Sequence, residues 1–358
     1  MLRVPVIDKN GRALMPTKPS RARRWLKEGR AKVYKNDLQV FAIQLTFEPS
    51  DRKEQRIAVG IDPGKHFTGI AVQSAKFTLW LGHLYLPFQK VKVLMEQRGM
   101  MRRTRRSRRI NRNLPVRQRA HRQKRFDNRR QNKIPPSIRA NRDLEKRVLD
   151  ELERLFPLLF NVVIERVKAY GNKGFSPVMV AQEWQLDRLS FDYGIETIEG
   201  WQTAQIRREL GLIKQKDSKS DAVVATHAVD GIALAASQFM SYQVTSVNSR
   251  GWVGSVDVTA CPLTVIRRPP VSRRQLHLLQ FSKGGSRRKY GGTVTRHGFR
   301  KGDYVEANQG KKIVRGWVSG DTKTQISVSN ADWKRLGQFS RNKIQLLKRS
   351  NGLIVQCG

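Results

Sequence analysis

IAVGIDPG, at residues 57–64, is the stretch of sequence that decides the fold. Its near-continuous apolar run is typical of a strand buried on both faces, and the Asp-Pro-Gly that ends it is typical of a turn. Two further runs with strand character follow at 68–72 and 77–86. Three strands in close succession predict a meander.

The elements predicted after this meander alternate between helix and strand. In chain order they are a helix at 144–160, a strand at 161–165, a helix at 178–189, a strand at 195–198 and a long helix at 221–239. A meander followed by alternating helices and strands suits a mixed α/β sheet, which is the fold class we expect.

The two ends of the chain have residue patterns that differ from that of the central part. Residues 1–50 predict a small basic module with a strand that ends at Asp8, a helix at 20–29 and a strand at 39–47. After residue 242 the sequence turns to short β-type runs separated by glycines, which is typical of a small barrel-like or irregular β module.

The charge of the chain indicates its partner. Its 358 residues include 70 Lys and Arg against 29 Asp and Glu, which leaves a net charge of +41. Since 39% of the residues are hydrophobic, this charge is added to a chain that is able to fold. Such a surface requires a polyanion for neutralisation, and arginine binds phosphate oxygens in a bidentate manner. The composition therefore predicts a nucleic acid partner.

The cysteine content and the hydropathy indicate the compartment. Two cysteines, Cys261 and Cys357, can form neither a zinc knuckle nor a disulfide framework, which argues for a reducing environment. The first residues contain no apolar signal region, and no stretch approaches the ~20 apolar residues of a membrane span. We expect a soluble cytoplasmic protein with no membrane partner.

Residues 98–133 contain 14 Arg and two Lys but a single acid, Asp127. No apolar stripe runs through this segment, so burial on a protein core would not stabilise a helix here. One interpretation is a disordered basic linker. We prefer an arginine-rich helix that orders on RNA, because the segment lies between core elements. The arginines expected to contact RNA phosphates are Arg102, Arg103, Arg105, Arg106, Arg109, Arg112, Arg117, Arg119, Arg122, Arg125, Arg129 and Arg130.

Three carboxylates stand where a nuclease would need them. Metal-dependent phosphodiester hydrolysis uses carboxylates that converge at strand ends, where hard oxygens hold two Mg²⁺ ions. Asp62 ends the first strand of the meander, Glu165 ends a later apolar strand, and Asp230 lies in the predicted long helix. His227 precedes Asp230 by three residues, so both share a helical face and the imidazole can orient or deprotonate water.

Each of these residues also has a simpler explanation. Asp62 can belong to an ordinary turn, Glu165 can pair with an arginine, and His227 can be a satisfied core histidine. Asp221 is a weaker rival for a catalytic position and can instead cap a helix. The sequence contains no P-loop, no GxGxxG and no GxSxG motif, which argues against nucleotide-fuelled chemistry.

Three short segments resemble the split motifs of a RuvC nuclease, which has an RNase H-like fold. They are GIDPG at 60–64, VIERVKA at 163–169 and THAVD at 226–230. The arginine-rich segment between the first two resembles the bridge helix of transposon-encoded RNA-guided nucleases. The resemblance implies an Mg²⁺-dependent DNA endonuclease whose RuvC core is split by this helix.

Both ends of the chain resemble the IscB group of these nucleases. LMP at 14–16 is similar to the N-terminal PLMP module of the group, although Ala13 replaces the first proline. RRKYGG at 287–292 and FRKGD at 299–303 are similar to its C-terminal region. The resemblance therefore covers nearly the whole chain.

IscB proteins carry an HNH nuclease between the second and third RuvC motifs. Here Glu165 and His227 are only 62 positions apart, and residues 170–216 contain neither histidine nor cysteine. An HNH centre cannot be built from this insert. The chain therefore resembles IsrB, the HNH-lacking relatives of IscB among the OMEGA nucleases.

The resemblance to IsrB implies partners and roles. A structured guide RNA (ωRNA) would form a 1:1 complex with the monomeric protein in the prokaryotic cytoplasm, acting at the nucleoid. Duplex target DNA would be recognised beside a short adjacent motif, and the RuvC centre would nick the displaced non-target strand. Asp62 would bridge two Mg²⁺ or Mn²⁺ ions, with Glu165 and Asp230 as flanking ligands and His227 acting on water. The C-terminal candidates for DNA or RNA contact are Arg273, Arg274, Gln275, Arg287, Arg288 and Lys289.

The resemblance also predicts a division into domains. The expected parts are a PLMP-like module at 1–52, RuvC part I at 53–90, the bridge helix at 91–140, RuvC parts II and III at 141–242, and a β-rich C-terminal domain at 243–358 that contacts the adjacent motif and RNA.

Two other functions stay open at this point. A guide-independent junction resolvase would use the same RNase H-like core on branched DNA without RNA. A non-catalytic RNA-binding protein would use the carboxylates only to pair with arginines and would need no metal.

Overall fold

The computed structural model describes residues 2–49, 54–107, 111, 113–118, 134–157, 161–168, 177–215, 223–244, 250–270, 294–310 and 312–357. They form two compact units. One unit comprises Met1–Leu86, Asn141–Arg268 and Leu353–Gly358, and the other comprises Pro87–Ala140 and Pro269–Gly352. Among the described helices, none combines the length and the hydropathy that a membrane crossing needs.

Helices and strands are mixed along the chain. The strands are β1 (Val4–Ile7), β2 (Ala13–Thr17), β3 (Ala31–Tyr34), β4 (Ala42–Leu45), β5 (Ile57–Pro63), β6 (Phe67–Ser74), β7 (Thr78–Tyr85), β8 (Val162–Arg166), β9 (Ile195–Glu199), β10 (Met240–Gln243), β11 (Gly251–Gly254), β12 (Leu263–Arg267), β13 (Tyr304–Gln309), β14 (Lys312–Asp321), β15 (Gln325–Ser329), β16 (Arg335–Ser340), β17 (Ile344–Lys348) and β18 (Ile354–Cys357). The helices are α1 (Pro19–Lys27), α2 (Phe88–Ser107), α3 (Pro136–Glu153), α4 (Gln182–Ser190), α5 (Gly200–Glu209), α6 (Val224–His227) and α7 (Val229–Ala236).

The N-terminal residues form a four-stranded sheet in the order β2-β1-β4-β3, in which β1 and β4 are parallel. The helix predicted at 20–29 is confirmed as α1, and the strand predicted at 39–47 is confirmed over the shorter β4. Pro19 begins α1, where the missing N–H of proline has no helical partner to lose. Buried Ala22 packs with Val6 and Ile43 of the sheet.

A seven-stranded sheet in the order β18-β12-β7-β6-β5-β8-β9 forms the centre of the first unit. Antiparallel β5, β6 and β7 confirm the predicted meander, and β8 and β9 continue the sheet parallel to β5. β12 lies parallel to β7 on the other side, with β18 antiparallel at the edge. The predicted mixed α/β class is confirmed.

One face of β5 supports the main hydrophobic core. Alternate residues of a strand point to opposite faces, and Ile57, Val59 and Ile61 therefore share one side. They belong to a fully buried cluster with Leu149 and Leu152 of α3. This burial holds β5 in place up to Asp62, the catalytic candidate near its end.

At Gly60 the other face of β5 lies directly against the backbone of α7. A methyl group placed on Gly60 would fall 2.0 Å from the carbonyl oxygen of Gly231 and 2.7 Å from Cβ of Leu234. Such a distance is impossible between real atoms, so glycine is required here. The close approach brings the first turn of α7, which carries Asp230, next to the strand that carries Asp62.

The helix predicted at 144–160 is confirmed with different bounds. α3 begins at Pro136, where proline again suits the first helical position, and it ends at Glu153. Leu155 and Phe156 are fully buried in the turn that follows α3. Their burial made the amphipathic pattern continue past the end of the helix.

The prediction of one continuous helix over 221–239 is wrong within its described part. α6 ends at His227 and α7 begins at Val229, with Ala228 between them, and a 3-10 turn over Ser237–Phe239 follows α7. His227 and Asp230 are therefore not neighbours on one continuous helix. A near-continuous run of Ala and Val has no periodicity that could signal this break.

α5 is absent from the prediction, and α4 is preceded by a 3-10 turn over Met179–Ala181 where a single helix at 178–189 was expected. α5 is largely polar, which gives no apolar stripe to recognise. A capping box fixes its start: Glu199 accepts from the backbone of the first turn, while the side chain of Gln202 accepts the Glu199 N–H at 2.9 Å.

The second unit contains a five-stranded antiparallel sheet in the order β16-β15-β14-β13-β17. Its core includes Val305, Val318, Val328 and Phe339. The β-rich texture predicted after residue 242 is present in both units, since β12 and β18 pair with the large sheet. The predicted domain boundaries stay a prediction.

Candidate catalytic centre

The parallel pair β5 and β8 places two carboxylates side by side. Ile61 of β5 is in register with Ile164 of β8, so Asp62 and Glu165 follow at the same end of the sheet. Asp230 reaches this end from the first turn of α7, and His227 reaches it from the last residue of α6. The four residues that the sequence singles out are thus brought together.

Direct contacts join most of these groups. Nε2 of His227 lies 3.7 Å from Oδ2 of Asp62. Gly69 on the neighbouring strand permits this approach, because a methyl group there would fall 2.7 Å from the carbonyl oxygen of His227. Asp62 and Asp230 also share a cation, the ammonium group of Lys214, whose nitrogen is 3.6 Å from Oδ2 of Asp62.

Two basic residues of the centre have no signal in the sequence. Lys214, in the segment after α5, pairs with both Asp62 and Asp230. Arg207, on α5, donates from Nη1 to Oδ1 of Asp230 at 2.5 Å. Neither belongs to a recognisable motif, and α5 itself is not predicted. Only the three-dimensional packing identifies them.

Burial and mutual repulsion dominate the electrostatics of the carboxylates. Burial raises the pKa of Asp62 to about 7, with further upward contributions from Glu165 and Asp230 that Lys214 opposes. Burial also raises the pKa of Glu165, against the lowering effect of a hydrogen bond from Thr203. Burial and the neighbouring carboxylates therefore favour the protonated form of Asp62 and Glu165 while no metal is bound.

The imidazole of His227 is kept neutral. Burial lowers its pKa to about 4, and the nearby ammonium of Lys214 lowers it further while Asp230 opposes the shift. A neutral imidazole at pH 7 has a lone pair available to accept a proton. His227 is thus in the protonation state that a general base requires.

The donor set can be tested against the expected metal. Within the described residues, no three His, Cys, Asp or Glu side chains surround one point closely enough to hold an ion as they stand. The positive charge paired with both Asp62 and Asp230 is instead the ammonium group of Lys214. Carboxylate oxygens are the ligands that Mg²⁺ prefers, so Asp62, Glu165 and Asp230 fit this ion once Lys214 moves aside.

Replacing Lys214 by methionine is expected to lower the free energy of unfolding of the metal-free protein by about 3 kcal/mol, because buried carboxylates lose their shared counter-ion. Addition of Mg²⁺ should restore most of this loss, since the ion would supply the missing charge. Urea unfolding in EDTA and in MgCl₂ measures both effects.

Lys146→Met is the matched control for this prediction. Nζ of Lys146 also pairs with two carboxylates, at 2.8 Å from Asp150 and 2.8 Å from Asp192, but these are partly exposed. Its loss should cost about 1 kcal/mol or less, with no recovery in Mg²⁺. An equal response of the two variants to Mg²⁺ would contradict the role given to Lys214.

An aromatic cluster packs behind His227. The ring of His83 contacts that of His227 edge to face, with 5.0 Å between centroids, and lies 5.2 Å from Phe67 and 4.8 Å from Tyr85. His83 is fully buried, and neither of its ring nitrogens has a hydrogen-bond partner among the described residues. Burial lowers the pKa of His83 to about 3, with a smaller effect from His227. The cluster thus fixes one side of the His227 ring with a neutral neighbour.

His83→Phe is expected to remove part of the acid sensitivity of the fold. The unfolded chain protonates His83 below its ordinary pKa of 6.5, whereas the folded protein does so only near 3. Stability is therefore lost as the pH falls from 6.5 towards 3, at up to about 1.4 kcal/mol per pH unit. Urea unfolding at pH 7, 6, 5 and 4 should give a flatter profile for the variant, and parallel profiles would contradict this assignment.

The expected nucleic-acid contacts are only partly described. Arg102 and Arg103 lie in α2, the helix also includes Arg105 and Arg106, and Arg117 is exposed in a short 3-10 turn. The other residues expected to contact nucleic acid lie outside the described residues, as does Asp221. They are Arg109, Arg112, Arg119, Arg122, Arg125, Arg129, Arg130, Arg273, Arg274, Gln275, Arg287, Arg288 and Lys289.

Comparisons with known proteins give one family match. The family described as "RRXRR protein" matches residues 4–174, just under half of the chain. This range includes Arg102, Arg103, Arg105 and Arg106, which stand in the spacing that the description spells out. None of the proteins with curated descriptions matches the chain.

Two solved structures of RuvC from Thermus thermophilus are similar over part of the chain. The structure of RuvC in complex with a Holliday junction substrate is 15% identical, with a TM-score of 0.28, and covers 56% of this chain and 100% of that chain. The second RuvC structure is 14% identical, with a TM-score of 0.27, and covers 55% and 100%.

Proposed function

We propose that this protein is an RNA-guided DNA endonuclease of the RuvC type that nicks one strand of a target duplex. The observation that carries the proposal is the convergence of Asp62, Glu165, Asp230 and His227 at one end of the central sheet. The match to the RRXRR family and the net charge of +41 support it further.

The residues of the centre have separate roles in this proposal. Asp62, Glu165 and Asp230 would hold two Mg²⁺ ions, for which Mn²⁺ could substitute. When bound, these ions would supply Lewis-acid stabilisation of charge on the scissile phosphate. His227 accepts a proton from the attacking water through Nε2, the nitrogen that faces Asp62. Arg207 orients Asp230 through the hydrogen bond that it donates to Oδ1.

Guidance by RNA accounts for the distribution of charge. In an RNA-guided nuclease, pairing between RNA and DNA recognises the target sequence. The protein then needs a basic surface that holds the backbone of an A-form duplex and few side chains that read bases. The arginine-rich segment that begins in α2 would bind the guide RNA. The C-terminal candidates, Arg273 to Lys289, would contact the adjacent motif or the RNA.

The proposal predicts nicking that depends on RNA. Protein co-expressed with its flanking non-coding RNA should convert a supercoiled plasmid library to open circles in Mg²⁺, with no linear product. The same preparation without RNA should be inactive. Equal cutting without RNA would favour a junction resolvase, and RNA binding with no cutting in any divalent metal would favour an RNA-binding protein.

A further inference from the structure

The N-terminus of α5 lies directly beside Glu165. A methyl group on Gly200, the first residue of α5, would fall 3.2 Å from Oε1 of Glu165. Glycine therefore lets the helix approach the carboxylate closely. The next residue along the helix is Trp201, so its position is fixed relative to a proposed metal ligand.

A cavity of about 270 Å³ opens at this point. Glu165 and Trp201 both line it, together with Lys168 and Glu199. Lys168 and Glu199 form an ion pair on its wall. The cavity therefore joins a proposed catalytic carboxylate, an indole ring and a basic side chain in one concave site.

Trp201 is exposed but held in place. Trp201 is 48% exposed, although burying the large apolar ring of a tryptophan usually stabilises a protein. The indole N–H donates to Oε2 of Glu199 at 3.1 Å, and the ring meets that of Tyr242 edge to face at 6.0 Å. Tyr242 in turn packs on Trp252. Contacts with Glu199 and Tyr242 thus hold the indole ring in place, while part of its surface stays exposed next to the cavity.

We propose that Trp201 is a stacking site for an unpaired nucleobase of the DNA strand that is cut, next to the phosphate attacked at Glu165. This inference rests on the proposed function and extends it to the binding of the strand. Every base has a face that can stack on an aromatic ring, so such a site needs no particular base. Lys168, which lines the same cavity, would bind a phosphate of this strand.

Quenching of 2-aminopurine tests the stacking directly. The full-length protein is titrated with a single-stranded DNA oligonucleotide carrying one 2-aminopurine, at several salt concentrations. Wild type should quench the fluorophore, and Trp201→Ala should bind about tenfold more weakly with the same salt slope, because stacking contributes independently of counterion release. Trp201→Phe should recover most of the affinity.

Phe191→Ala is the matched control, because Phe191 is an 89% exposed aromatic residue outside the cavity. It should bind and quench as wild type does. Equal quenching by wild type and Trp201→Ala would overturn the stacking site. So would a defect confined to RNA oligonucleotides, or a fall in melting temperature of Trp201→Ala that accounts for the lost binding.

Nicking of a guided substrate provides the second readout. Trp201→Ala should slow nicking about tenfold, and a single abasic site at one position of the displaced strand should slow nicking by wild type by the same factor. The two changes together should slow it no further, since they remove the same contact. Additive effects would overturn the proposal. Trp201-dependent quenching in a protein that cuts no substrate would support the stacking site and reject the proposed function.

Discussion

Asp62→Asn is expected to reduce DNA nicking by about 10³-fold or more, while the protein stays folded and bound to RNA. Asparagine keeps the size of the side chain but removes the charge that would hold the metal. Burial and the nearby Glu165 and Asp230 raise the pKa of Asp62 to about 7, so removing its charge also removes repulsion. The metal-free variant should therefore unfold at the same temperature as wild type or above it.

Nicking rates of the RNA complex in Mg²⁺ and thermal unfolding in EDTA together check this prediction. Asp192→Asn is the control, because Asp192 also pairs with a lysine but is about half exposed. It should nick at the wild-type rate. A loss of RNA binding or of folded protein in Asp62→Asn, in proportion to the loss of nicking, would mean that Asp62 has a structural role only.

Gly60→Ala is expected to destabilise the fold by about 3 kcal/mol or more. Its added methyl group would meet the backbone of α7 at Gly231, and a helix backbone cannot rotate away as a side chain can. The strand and the helix must separate to make room. Since α7 carries Asp230, the fraction that still folds should also nick poorly.

Gly320→Ala provides the comparison for this prediction. Gly320 also lies in a strand, β14, but a methyl group there would meet no atom within 4 Å. Its free energy of unfolding should change by about 0.5 kcal/mol or less in urea titrations. Similar values for the two variants would show that β5 and α7 do not pack as closely as described.

The parts of the fold that sequence predicts are those with local signals. The run IAVGIDPG fixes a buried strand and its turn, and the apolar segment that ends at Glu165 fixes another. Because the structure makes these two segments parallel neighbours, Asp62 and Glu165 meet at the same edge of the sheet. The break at Ala228 and the polar helix α5 have no such signal, since both depend on packing and capping.

The candidate site divides in the same way. Its acidic residues and His227 follow recognisable strand ends and motifs. Lys214 and Arg207 reach the site from segments without a pattern, and their importance arises only because buried carboxylates need nearby cations. Trp201 also has no signal in the sequence. Its functional interest arises only in the structure, where the neighbouring Gly200 lies beside Glu165.

Strand-specific nicking tests the central proposal most directly. A target duplex matched to the guide carries different labels on its two strands and is incubated with the RNA complex in Mg²⁺. The account predicts a shortened fragment from the displaced strand alone, which requires both RNA and Mg²⁺ and disappears in Asp62→Asn. Cleavage of the guide-paired strand, or cleavage of either strand without RNA, would contradict it.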